Sequence, residues 1–178
     1  MAALHQRLHF DAEHGRVLDG PRRYLLLRAD VLMGLFDALP GAARDDALRA
    51  FGASVTRRGG DSVRAYASDV GRAQLLGAMQ DAAASLGWGR WHFEADDDVL
   101  RLEVLDSPFA AAATRRDGAA CHAIAGMLRA VALALWSEGA QALELSCAAQ
   151  CAAGGPTVCR FEARRNSLPL TTHQETNP

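Results

Sequence analysis

The stretch 87–109, GWGRWHFEADDDVLRLEVLDSPF, decides the fold. Trp91 and Phe93 stand two positions apart, and Leu100, Leu102 and Val104 repeat that period beyond a run of three aspartates. Successive side chains of a strand point to opposite faces, so a period of two gives each strand one apolar and one polar face. Two such strands around Asp96-Asp97-Asp98 make an antiparallel hairpin, with Val99, Arg101 and Glu103 on the face away from Leu100, Leu102 and Val104. The aspartates read as a solvated turn rather than a cation site, because short acidic side chains are favoured in turns on their own account.

Downstream, residues 118–136 are apolar and alanine-rich, which predicts a buried helix starting just before Cys121; it is too short, and interrupted by Arg129, to span a membrane. Residues 140–146 and 158–163 read as two further strands, with Gly154-Gly155-Pro156 in the loop between them. Upstream, RRYLLLR at 22–28 follows the turn signal Asp19-Gly20-Pro21 and predicts a short buried strand. Val31, Leu32, Leu35, Phe36 and Leu39 keep helical spacing up to Pro40. A second helix is expected from Ala42 to about Thr56, its start charged by Arg44, Asp45 and Asp46, before Gly59-Gly60 breaks it. Residues 62–86 read as another helical segment that Gly71 and Gly77 interrupt. The expected fold class is α+β, mixed helices and antiparallel strands in one compact domain over residues 15–165. An N-terminal segment (1–14) precedes it, and a polar, frayed tail (166–178) follows.

A chain of 178 residues that is 49% hydrophobic has enough apolar mass for one core. The formal charge of −2 leaves no basic excess to hold nucleic-acid phosphates. All the cationic side-chain charge is arginine, since the chain has no lysine. The start of the chain carries charges and histidines instead of an apolar run, so neither a signal peptide nor a membrane anchor is read there, and the expected compartment is the cytoplasm. In such a reducing setting, clustered cysteines are metal ligands or redox groups more often than disulfides.

Cys121, Cys147, Cys151 and Cys159 are the chain's cysteines, and none occurs before position 121. Glu144 precedes Cys147 by three positions. Three thiolates and a carboxylate form a four-coordinate, sulfur-rich shell of the type zinc accepts, and a closed shell of that kind is structural rather than catalytic. Four ordinary buried cysteines are the bland alternative, because free cysteine is among the most buried residue types and no paired CxxC knuckle is present.

The run CHAIAG at 121–126, Leu135-Trp136, Glu144-x-x-Cys147, Gly155 and Cys159-Arg-Phe161 resembles the 4-vinyl reductase domain family. The segments GRVLDGPRRYLLLRADVLMGLFDALP and LEVLDSPFA are similar to the stand-alone photosynthesis member of that family more than to its transcription-activator sensors. The resemblance implies a fold related to a vesicle-tethering subunit family, a homodimer, and an apolar pocket with zinc near its mouth. By motif, Cys121, Glu144, Cys147 and Cys159 would be the zinc ligands. Cys147 and Cys159 enclose eleven residues, a longer loop than the family pattern, and Cys151 lies inside it. Cys151 therefore either replaces Glu144 in an all-thiolate shell, which would also suit an iron–sulfur cluster, or is a bystander.

Taken at its word, the family name implies reduction of a vinyl group on a divinyl protochlorophyllide. Hydride chemistry needs a cofactor, and the one GxG, Gly87-Trp88-Gly89, lacks a third glycine and precedes a strand rather than a helix. His92, His122 and Glu144 are the candidate acids, and a lone histidine on a strand or helix start is more often structural. The reading that asks least of the residues is a binding module in bacteriochlorophyll biosynthesis. Its expected partners are a hydrophobic small molecule, a tetrapyrrole of the magnesium-porphyrin or chlorophyllide class, and other enzymes of the pigment pathway. Sensing of an aromatic hydrocarbon is the alternative. Trp88, Trp91, Phe93 and Trp136 are candidates to line a pocket, although core packing accounts for large aromatics equally well.

Overall fold

The computed structural model describes residues 4–136, 139–150 and 158–165. The hairpin read at 87–109 is present as β4 (Arg90–Ala95) and β5 (Val99–Leu105), which follow a small N-terminal sheet of β1 (His9–Asp11), β2 (Arg16–Asp19) and β3 (Arg22–Tyr24). Two further strands, β6 (Ala140–Ser146) and β7 (Val158–Arg165), complete a four-stranded sheet ordered β4-β5-β7-β6. Every pairing in it is antiparallel. Alternation sorts the faces as expected: Trp91, Phe93, Leu100, Leu102, Val104, Cys159, Phe161 and Ala163 are buried on one side. The opposite face carries ion pairs between strands, such as Arg160 to Glu103 at 2.8 Å. Asp96, Asp97 and Asp98 are exposed in the turn, where Asp96 pairs with Arg101 at 2.9 Å.

Helix α6 (His122–Trp136) packs on β6 and β7 and against α3 (Gly41–Val70). Being apolar around most of its circumference, it buries Ile124, Leu128 and Val131 together with its small residues. The two helices approach until backbones touch. A Cβ at Gly126 would lie 2.1 Å from the Gly52 carbonyl oxygen, and one at Gly52 would lie 2.5 Å from that of His122. Thr56 Oγ1 donates to the Gly126 carbonyl oxygen at 2.9 Å across the same crossing.

That contact explains why α3 overrides the break expected at Gly59-Gly60. The helix runs for 30 residues, and Gly59 sits where a Cβ would meet Met127 Cε of α6 at 2.7 Å. Tertiary packing outweighs the roughly 1 kcal/mol that a helical glycine costs. The real break is Gly71, whose φ of 78° ends α3 before α4 (Arg72–Ser85), and α4 continues through Gly77.

One other expectation is corrected. The strand expected over 22–28 ends at Tyr24, and Leu25, Leu26 and Leu27 are 83%, 66% and 51% exposed, because the chain leaves the small sheet there and has no second layer over it. In α2 (Ala29–Asp37), Met33 and Phe36 are buried whereas Val31 and Leu35 are exposed, so the apolar spacing covers two faces of the helix. A short α1 (Leu4–Arg7) lies against α4, and α5 (Pro108–Ala112) is capped by Ser107, whose Oγ accepts from Ala110 N–H.

Candidate functional site

Cys121 is not inside a helix. It precedes α6, and its carbonyl accepts from the N–H groups of Ile124 (2.8 Å) and Ala125 (3.1 Å), which makes it the N-cap residue of a helix that starts at His122, not just before Cys121. Its own N–H donates to Glu144 Oε2 at 3.0 Å. Glu144 comes from β6 at an irregularity in the pairing, where Glu144 opposes Phe161 and Ser146 opposes Arg160, two residues of β6 advancing over one of β7. A bulge of this kind bends a strand and redirects its side chains. Cys147 follows the end of β6 and enters a single 3-10 turn at Ala148–Gln150, and Cys159 projects from the buried face of β7.

The fold thus brings together the four residues that the sequence marks. The ligand atoms of Cys121, Glu144, Cys147 and Cys159 all lie within 4.8 Å of one another, close enough to hold a metal. Cys121 Sγ stands 3.9 Å from Cys147 Sγ and 3.8 Å from Cys159 Sγ, so these are not disulfides. A tetrahedron with zinc–sulfur bonds of about 2.3 Å has edges of about 3.8 Å. Buried thiols in van der Waals contact stand at a similar separation, so the carboxylate carries more weight than the sulfurs. Glu144 Oε1 is buried among them with no hydrogen-bond partner among the described residues, an arrangement that costs free energy unless a cation sits there. The donor set therefore fits a zinc ion. Cys151 lies outside the described residues, as does the Gly154-Gly155-Pro156 loop.

Burial pushes the Glu144 carboxyl up to about 8, and the neighbouring Cys147 adds to the rise. The Cys121 thiol is pushed up by its hydrogen bonds with Cys147 and Cys159 and by burial, whereas hydrogen bonds with Cys121, first, and with Cys147 draw Cys159 down. Ala148 N–H donates to Cys159 Sγ at 3.3 Å and supports its thiolate. Ser107, which the sequence reading missed, places its buried Oγ 3.2 Å from Cys121 Sγ. The Ser-Pro step ahead of a short alanine-rich helix marks it as a cap, and nothing local links it to a cysteine fourteen positions later.

A separate cavity of about 520 Å³ lies between the N-terminal segment, α3 and α4. Met79, Ala82, Ala83, Trp88, Trp91 and Met127 form its apolar wall. Arg7 crosses it, donating to Asp19 Oδ2 at 2.9 Å and Tyr66 Oη at 3.1 Å, with its guanidinium 5.3 Å from the Tyr66 ring centroid. Of the aromatic candidates, Trp88 and Trp91 line the cavity, whereas Phe93 packs against Trp91 in the core and Trp136 packs against the core. None of the four clustered ligand residues lines it. His92 is exposed on the outer face of the sheet. His122, at the first turn of α6, has a pKa lowered by burial and then by Arg49, and its buried Nδ1 has no partner among the described residues. Gly87 and Gly89, with φ of 71° and 89°, form the turn from α4 into β4.

No family model matches the sequence, and no curated protein does. Among solved structures, the chain is similar to the phenol-responsive sensory domain of the transcription activator PoxR, crystallised with phenol. The TM-score is 0.70 at 20% identity, over 91% of this chain and 86% of that one. It is also similar to a vinyl-4-reductase family protein from Methanocaldococcus jannaschii, with a TM-score of 0.49 at 12% identity, over 78% of this chain and 91% of that one. The PoxR likeness shows the class of fold: mixed helices and antiparallel sheets in one compact unit. Among the described residues, no helix is long and apolar enough to cross a membrane.

Proposed function

We propose that this chain is a small-molecule-binding domain, clipped by zinc, whose cavity takes a hydrophobic aromatic ligand. The observation that carries the reading is the cavity itself: about 520 Å³, walled by two tryptophans and two methionines, and entered past a few polar groups. Ligand sites of 300–1,000 Å³ are built in this way. Within that class, the sequence resemblance points to a tetrapyrrole, a magnesium-porphyrin or chlorophyllide intermediate handed between enzymes of bacteriochlorophyll biosynthesis in the cytoplasm. Absorbance and fluorescence titration with protochlorophyllide tests this; saturable binding is expected, and no binding of any tetrapyrrole defeats it. The second reading, sensing of a small aromatic such as phenol, is favoured by the ligand of the PoxR domain and is tested by the same titration with phenol. Turnover of a divinyl substrate with NADPH by the purified chain alone would establish the reductase instead.

Cys121, Glu144, Cys147 and Cys159 would hold the zinc. Bound there, the ion supplies cross-linking of α6, β6 and β7 rather than an open coordination site. Elemental analysis of protein purified without added metal is expected to give about one zinc per chain. The homodimer implied by the resemblance is part of the proposal. Its support is the apolar surface of Leu25, Leu26, Leu27, Val31 and Leu35, and light scattering measures it.

A further inference from the structure

We infer that the ligand of this cavity carries an anionic group beside its apolar body, and that Arg22 and Arg58 grip that group at the entrance. The inference rests on the reading of the cavity as a ligand site. Exposure varies over the cavity lining: Met79, Ala82, Ala83 and Trp91 are buried, while Gly20, Pro21 and Arg58 are exposed. An amphipathic ligand would lie with its ring system against the tryptophans and its polar end outward.

The charges that line the cavity are unequal. Arg7, Arg22 and Arg58 line the cavity against Asp19 and Asp69, an excess of one positive charge. Asp19 is already engaged, since Arg7 donates to it at 2.9 Å and both side chains are largely covered. Arg22 of β3 and Arg58 of α3 form no ion pair among the described residues, whereas Arg16, Arg49 and Arg64 elsewhere in the molecule each pair with an aspartate. Two uncommitted guanidinium groups from different elements, above an apolar wall, match a carboxylate on a flat hydrophobic molecule, because a guanidinium fork donates two parallel hydrogen bonds to such a group. A neutral phenol offers one uncharged oxygen and cannot engage the fork in this way.

The test is a fluorescence titration of the full chain with pyrene-1-butyrate and with its methyl ester, which share the ring system and differ in the charge and one methyl group. The acid is expected to bind about ten-fold more tightly than the ester, the worth of one charge-assisted contact. In Arg22→Gln/Arg58→Gln protein the acid-to-ester ratio is expected to fall to about one. In about 0.5 M salt the same preference is expected to shrink in the unaltered chain. Equal affinity for acid and ester overturns the inference and leaves the apolar site standing, as does a preference that survives the double substitution. Failure of both probes to bind overturns the reading of the cavity itself.

Discussion

Asp37 joins three segments through one carboxylate. Its Oδ1 accepts from Arg44 Nε of α3 at 3.0 Å, and its Oδ2 accepts from both the N–H and the hydroxyl of Thr114 at 2.7 Å. The Arg44 and Asp37 side chains are 1% and 8% exposed, so neither charge has water to fall back on. Burial alone would raise the Asp37 pKa, but the Thr114 and Arg44 hydrogen bonds outweigh it and hold the group below its ordinary 3.8. A carboxyl whose folded pKa is depressed contributes stability above its unfolded pKa and loses it as pH falls through the folded value. Asp37→Ala is therefore expected to cost about 3 kcal/mol at pH 7, by leaving the buried Arg44 charge only the longer pair with Asp45 at 3.7 Å. Denaturant melts across pH 2–7 should show that cost shrinking below about pH 4; a pH-independent difference would contradict the assignment. Glu144 offers a second test at this scale, in which the sign of the effect decides. With a cation among the sulfurs, Glu144→Gln lowers both zinc content and melting temperature. Without one, removing a buried carboxyl relieves a cost and raises the melting temperature.

At the scale of elements, the α3–α6 crossing depends on two missing side chains. Gly126→Ala would place a Cβ 2.1 Å from a backbone oxygen that has no flexible end to move, and the helices would have to separate. The expected loss is at least about 3 kcal/mol in chemical denaturation. Gly77→Ala is the control, since it is helical in α4 with nothing within 4 Å of the added carbon, and it is expected to stabilise by about 0.5–1 kcal/mol. A Gly126→Ala protein as stable as Gly77→Ala would show that the backbones do not touch. The same glycines mark the limit of what the sequence discloses. Period-two alternation in β4 and β5 survives folding because each strand has one buried face, so Trp91, Phe93, Leu100, Leu102 and Val104 were legible. Gly59 and Gly60 were not, because a glycine that breaks a helix and one that admits a neighbouring helix look alike until the neighbour is known. Arg44 fails in the same way: a charge in the first turn of a helix reads as solvated, and its burial depends on Asp37 and Thr114, seven and seventy positions away. Residue type marked the metal candidates, and the family resemblance rather than spacing set Cys121, Glu144, Cys147 and Cys159 apart from Cys151. The cavity was legible only in part: Trp88 and Trp91 were candidates to line it, whereas Arg7, Tyr66 and Met79 meet only through tertiary folding.

For the molecule as a whole, the clustered side chains stand where α6, β6 and β7 converge. Cys121 caps α6, Glu144 and Cys147 close β6, and Cys159 belongs to β7, so one ion would tie the sheet to the helix that touches α3 through bare backbone. Binding energy at a site absent from the unfolded chain counts as folding energy. For a protein of this size, 1 kcal/mol corresponds to about 2–4 °C in melting temperature. Removing zinc with a chelator under reducing conditions is therefore expected to lower the melting temperature by at least about 10 °C, and one equivalent of zinc to restore it. Cys147→Ser protein should melt near the stripped value and respond to neither treatment. Should the stripped and native chains melt together, the sulfurs are ordinary core contacts and Glu144 is a buried neutral acid. Ligand binding in the cavity supplies an independent readout, because no cluster residue lines it: stripped protein that has lost its zinc but still takes up aromatic probe would confine the clip to stability.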